Sequence, residues 1–116
     1  MVNWLDYIQK NKMEPITING IEILSNGDKK LANKLLNEYF PRIQRLVKNE
    51  ISLRFFVKEH EKEGKKLKYT LHLELIAPTR TFKLKSSDWD FARALHKLLN
   101  KTMNKVESRL KSSEQH

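Results

Sequence analysis

Three runs in the middle of the chain alternate apolar and polar residues, and this period of two fixes most of what the chain can become. Ile51, Leu53, Phe55 and Val57 alternate with Ser52, Arg54 and Lys58. Leu67, Tyr69, Leu71, Leu73 and Leu75 follow after the charged stretch Glu61-Lys62-Glu63-Gly64-Lys65, and Phe82 and Leu84 then alternate with Thr81, Lys83 and Lys85 beyond Pro78 and Thr79. Side chains of a strand point to opposite faces in turn, so each run makes a strand with one apolar face, and the short turns between them make an antiparallel meander. A sheet of this kind must bury one face against other elements.

Two stretches supply the cover. Before the meander, Leu31, Leu35, Tyr39, Ile43 and Leu46 recur at helical spacing, and Ser25, Asn26, Gly27 and Asp28 offer a turn and an N-cap for a helix starting near Asp28. Pro41 removes a backbone donor, which predicts a kink or restart near Phe40 to Arg42. After the meander, Phe91, Ala94, Leu95, Leu98, Leu99, Thr102 and Val106 form a second stripe, with Ser86, Ser87 and Asp88 as caps, running to about Leu110. Ahead of both, Ile16-Thr17-Ile18-Asn19-Gly20-Ile21-Glu22-Ile23 reads as another strand with a bulge at Gly20. A strand that reaches the next through a helix pairs with it in parallel by a right-handed crossover.

The expected fold is therefore α+β: a two-layer sandwich in the order β-α-β-β-β-α, with two helices on one face of a four-stranded sheet, plus a short N-terminal helix. Residues 1–15 form an amphipathic extension carrying Trp4, Leu5, Tyr7 and Ile8, residues 16–111 a single domain, and 112–116 a frayed tail. The extension either covers the open sheet face or joins two copies into a homodimer.

Charge narrows the class of partner. Lys and Arg outnumber Asp and Glu by 23 to 14, a formal +9, which favours polyanions such as nucleic acid or acidic membranes. No apolar run approaches the ~18 residues of a spanning helix, no lipidation motif is present, and the N-terminus is too polar for a signal peptide. The expected compartment is the cytoplasm. No cysteine is present, so disulfides and thiolate ligands are excluded.

The cations are patterned. Arg93, Lys97, Lys101, Lys105 and Arg109 follow at intervals of four on the final helix, and Lys30, Lys34, Arg45 and Lys48 stand on the outer side of the first. Two parallel helices with positive outer faces predict a groove suited to phosphate, with RNA-binding residues Lys30, Lys34, Arg45, Lys48, Arg93, Lys97, Lys101 and Lys105. The other sheet face carries Arg54, Phe56, Lys58, Lys68, Thr70, His72, Lys83 and Lys85, a weaker candidate for RNA with Phe56 stacking on a base. Catalysis finds little support: His60, His72, His96 and His116 are scattered, His72-x-Glu74 is too small a set for a metal, and the three glycines stand alone, with no phosphate loop. No enzyme activity, cofactor, metal or small-molecule substrate is expected.

The element order, together with Asp90-Phe91-x-x-Ala94-Leu95-x-x-Leu98-Leu99-Asn100-Lys101 and the Lys/Glu-rich hairpin near His60, resembles the ribosome hibernation-promoting factors, or ribosome-associated translation inhibitors, over residues 16–111. The resemblance implies a stress-response protein that sits on rRNA of the small ribosomal subunit, in the channel used by mRNA and tRNA. It further implies repression of translation and promotion of ribosome pairing. It also implies rRNA contacts from basic residues of both helices, Lys101 matching most directly. The chain departs from the family at residues 1–15, at Pro41, and in lacking the C-terminal pairing domain of long members. The rival reading is a double-stranded RNA-binding domain, which also stacks two helices on an antiparallel sheet. Against it, the hairpin tip has no Gly-Pro-x-His run and the final helix opens with Ser-Ser-Asp-Trp-Asp rather than a Lys-Lys cluster. A protein-interaction module would instead bind independently of salt.

Overall fold

The alternating runs become strands at the expected places in the computed structural model, which describes residues 15–64 and 66–114. The elements are β1 (Ile16–Asn19), a 3-10 turn (Ile21–Ile23), α1 (Asn26–Val47), β2 (Ser52–Glu63), β3 (Lys66–Ile76), β4 (Thr81–Asp88) and α2 (Phe91–Glu114). The sheet order is β1-β2-β3-β4, with β1 parallel to β2 and the other pairs antiparallel. This is the α+β fold expected from the sequence. The proposed N-terminal helix, with Trp4, Leu5, Tyr7 and Ile8, lies outside the described residues.

One face of the sheet makes the core. Leu53, Phe55 and Val57 of β2 and Leu71, Leu73 and Leu75 of β3 are buried against Leu35, Leu36 and Ile43 of α1 and Leu95, Leu98, Leu99 and Val106 of α2. Each such side chain contributes about 1.5–3 kcal/mol by leaving water. Thr102, buried within the α2 stripe, donates its hydroxyl to the Leu98 carbonyl at 2.8 Å, so the stripe carries no unpaired polar atom there.

Five local expectations need correction. The first strand ends at Asn19, because Gly20 turns left-handed (φ 79°) and packs so closely on β2 that a Cβ would collide with the Val57 carbonyl oxygen. Helix α1 begins two residues early, capped by Ser25, whose hydroxyl accepts the Asp28 N–H at 3.2 Å. It also runs through Pro41 as one element: Pro41 and Asn37, whose carbonyl loses its partner, are both exposed, so water can serve that carbonyl. At the other end, Ser86, Ser87 and Asp88 belong to β4 rather than to a helix cap, and α2 runs one turn past Leu110, to Glu114.

Candidate nucleic-acid interface

The end of β4 determines how α2 presents its cations. Because Ser86 and Asp88 lie two and four residues beyond Leu84, strand alternation turns them toward the helix, in register with Leu71 and Tyr69. Both are buried. The Ser86 hydroxyl donates to the Ala94 carbonyl at 2.6 Å. The Asp88 carboxylate accepts the Asp90 N–H at 3.0 Å, holds the Lys97 ammonium at 2.8 Å and lies 3.7 Å from the Arg93 guanidinium. The hydrogen bond from Lys97, then that from Asp90, lowers its pKa to about 2, outweighing the partial burial that opposes ionisation.

One and two turns further on, the row continues along the same strand. Lys101 donates its ammonium to the Lys85 carbonyl at 3.1 Å. Lys105 and Arg109 line an open cleft of about 570 Å³ with Arg80, Thr81, Phe82 and Lys83. The five α2 cations are exposed, and together with Arg80 they form one cationic flank where the helix lies beside the edge strand. Sequence reasoning assigned neither Arg80 nor Arg109 to the site; it placed Lys83 and Lys85 on the sheet face, where their pairing with Glu74 and His72 puts them. The signal was available in the meander, since its last strand precedes α2 and ends at the edge.

The expected groove between two helices does not form from these residues. Helix α2 packs on β3 and β4 and α1 lies beside it, so the side of α2 that touches the β4 edge is the side remote from α1. Lys30, Lys34, Arg45 and Lys48 are exposed on α1, opposite its buried Ala32, Leu36 and Ile43. Arg45 turns back to the Pro41 carbonyl at 3.4 Å, and Lys48 ends the helix in a left-handed conformation (φ 58°). The α1 cations thus form a second patch, separate from the α2 row.

The uncovered face of the sheet is more mixed. Arg54 lies 3.8 Å from Glu74 and 6.0 Å from the half-buried Phe56 ring, and the hydroxyls of Thr70 and Ser87 share a hydrogen bond of 3.1 Å. His72 stands between Phe56 and Lys85 in register. Burial first, then the charges of Lys58 and Lys85, holds its pKa below the usual 6.5. Among the described residues no three His, Asp or Glu side chains converge to hold a metal ion, and no helix is long and apolar enough to cross a membrane.

No family model matches the chain, and no curated protein matches it. Solved structures do. The N-terminal domain of Thermus thermophilus protein Y superimposes with a TM-score of 0.58 at 15% identity, covering 80% of this chain and 93% of that one. A ribosomal subunit interface protein from Coxiella burnetii gives a TM-score of 0.61 at 21% identity, covering 84% and 97%. Both are members of the family that the sequence resembles. At these identities the likeness is one of fold, and this chain has the β-α-β-β-β-α fold of the hibernation-promoting factors.

Proposed function

We propose that the protein is a ribosome-associated hibernation factor that binds rRNA of the small ribosomal subunit, in the mRNA and tRNA channel, and represses translation in the cytoplasm. It acts by occupying the site, with no enzymatic step and no cofactor. The observation that carries the reading is the flank of α2 and β4, where Arg80 and the five α2 cations stand together and the buried carboxylate of Asp88 fixes two of them, Arg93 and Lys97. Polyphosphate is the partner that such a row fits. The shared fold supports the same reading, since one of its members is described as a ribosomal subunit interface protein. The parallel strand β1 ahead of α1 argues against a double-stranded RNA-binding domain, whose sheet has three antiparallel strands.

Sedimentation with small ribosomal subunits through a sucrose gradient tests this directly. Comigration is expected at low salt. If about six phosphates are contacted, affinity falls roughly a thousandfold between about 50 mM and 200 mM salt, through counterion release. Absence of comigration at low salt overturns the proposal, and an affinity indifferent to salt would point to a protein-interaction module instead.

A further inference from the structure

Among the described residues two large hydrophobic side chains are exposed, Ile23 and Trp89, and Trp89, at 40% exposure, is by far the larger loss of apolar burial. Its position is not loose. Asp88 before it pairs with Tyr69 in the sheet and is tied to the Asp90 N–H and to Lys97, while Phe91 after it is buried and meets the Tyr69 ring edge-on at 5.7 Å. The indole is therefore presented by a fixed backbone at the junction of β4 and α2.

Its surroundings mix cations with two carboxylates, Asp88 buried and Asp90 exposed. The Lys68 ammonium lies 5.9 Å from the centre of the ring. Beside the ring is an open cleft of about 480 Å³, lined by Lys66, Tyr69, Asp88, Asp90 and Arg93 among others. That volume falls within the range of small-ligand sites, about 300–1,000 Å³. The two carboxylates make it a poor seat for a phosphate, whereas a neutral, flat group bearing amino donors fits both the ring and the acids. Lys68 and Arg93, its side chain 67% exposed, are placed to meet a phosphate outside. Arg93, the first cation of the α2 row, lines the same cleft as Trp89, so a strand laid along the flank reaches the indole.

We propose that Trp89 and the cleft beside it form a stacking subsite for one unpaired nucleobase, placed at the end of the cationic flank. This rests on the flank being an RNA site, and it adds a preference for single-stranded over duplex RNA, because bases within a duplex do not offer a free π-face to a protein ring.

The test uses the full chain carrying W4F, which leaves Trp89 as the single tryptophan. Its emission is followed while a single-stranded oligoadenylate, or a duplex RNA of the same length, is added. The single strand is expected to quench Trp89 and the duplex to bind with little quenching. W89A should lose about tenfold in affinity for the single strand, the scale of one stacked base, and change little toward the duplex. W89F should retain most of the affinity, and the melting temperatures of both variants report whether the fold is kept. Oligoadenylate that binds without quenching, or W89A that binds as well as the parent, overturns the stacking subsite while leaving the flank in place. If the parent binds neither oligonucleotide nor subunits, the flank reading falls and the subsite falls with it.

Discussion

The flank of α2 with β4 and the uncovered face of the sheet carry similar kinds of side chain in different arrangements. On the flank, Lys97 is fixed by the buried Asp88 and Lys101 by the backbone carbonyl of Lys85, and both extend a row with Arg93, Lys105 and Arg109. On the sheet face, Arg54 faces Glu74, and Lys58 and Lys85 stand around a neutral His72, with hydroxyls and a half-buried phenyl ring between them. A long cationic side chain loses up to about 2 kcal/mol of rotamer freedom when it is immobilised. Where the fold has already imposed that cost, a phosphate need not, so a pre-ordered row binds better than an equal number of free lysines.

The largest expected effect separates the two regions at equal charge. Lys101→Glu with Lys105→Glu on the flank, and Lys58→Glu with Lys85→Glu on the sheet, alter net charge alike. The flank pair should weaken subunit binding roughly a hundredfold and lower the salt slope by about two, with the sheet pair below about fivefold, when affinities are measured across a salt series. Lys30→Glu with Lys34→Glu on α1 should fall between them. Equal losses for all pairs would reduce the flank to a statement about net charge, and a sheet pair that was the worst would move the site. Arg93 and Lys97 are left untouched because a carboxylate at either position would face Asp88 and confound binding with stability.

Asp88 sharpens the comparison by its sign. Asp88→Asn adds one positive charge to the flank while releasing Lys97 and Arg93 from their anchor. If fixed geometry governs, affinity for the subunit falls a few-fold despite the gain in charge. If only charge matters, it rises. The same carboxylate has a stability signature. Its pKa drops from 3.8 to about 2 on folding, so its stabilisation is complete above about pH 4 and is lost as pH falls to about 2. Thermal melts should therefore show Asp88→Asn less stable than the parent at pH 7, with the gap closing over that acid range.

The sheet, both apolar stripes and the parallel crossover were legible because each rests on periodicity, which a single sequence records. What was not legible depended on neighbours in space. A helical wheel tells how far Lys97 lies from the apolar stripe but not which side of the helix meets β4, so the row was expected in a groove with α1. Ser86, Ser87 and Asp88 are small polar residues that suit an N-cap as well as a polar end of a strand, and only their burial against Ala94 and Lys97 decides. Pro41 gave a sound local rule that lost to context, since its turn of α1 faces water. Gly20 read as a bulge because nothing in the sequence reveals the Val57 carbonyl against it.

The smallest expected effect is on His72, and it reports on the sheet face without altering the flank. Burial, Lys58 and Lys85 all disfavour its imidazolium, so it is neutral at pH 7. The unfolded chain takes up this proton more readily than the folded one. Stability is therefore lost as pH falls through about 6.5 toward the folded value, and the penalty is constant below it. Lys58→Gln should move the titration of His72, followed by NMR, upward and narrow that window. Phosphates docked on the sheet face would do the same by replacing two cations with anions as its neighbours. Phosphates held on the α2 row lie on the far side of the β4 edge, where screening over about 8 Å at physiological salt weakens their field. Titration of His72 in the RNA complex should thus match that of the free protein, and a clear rise on binding would place the nucleic acid on the sheet instead.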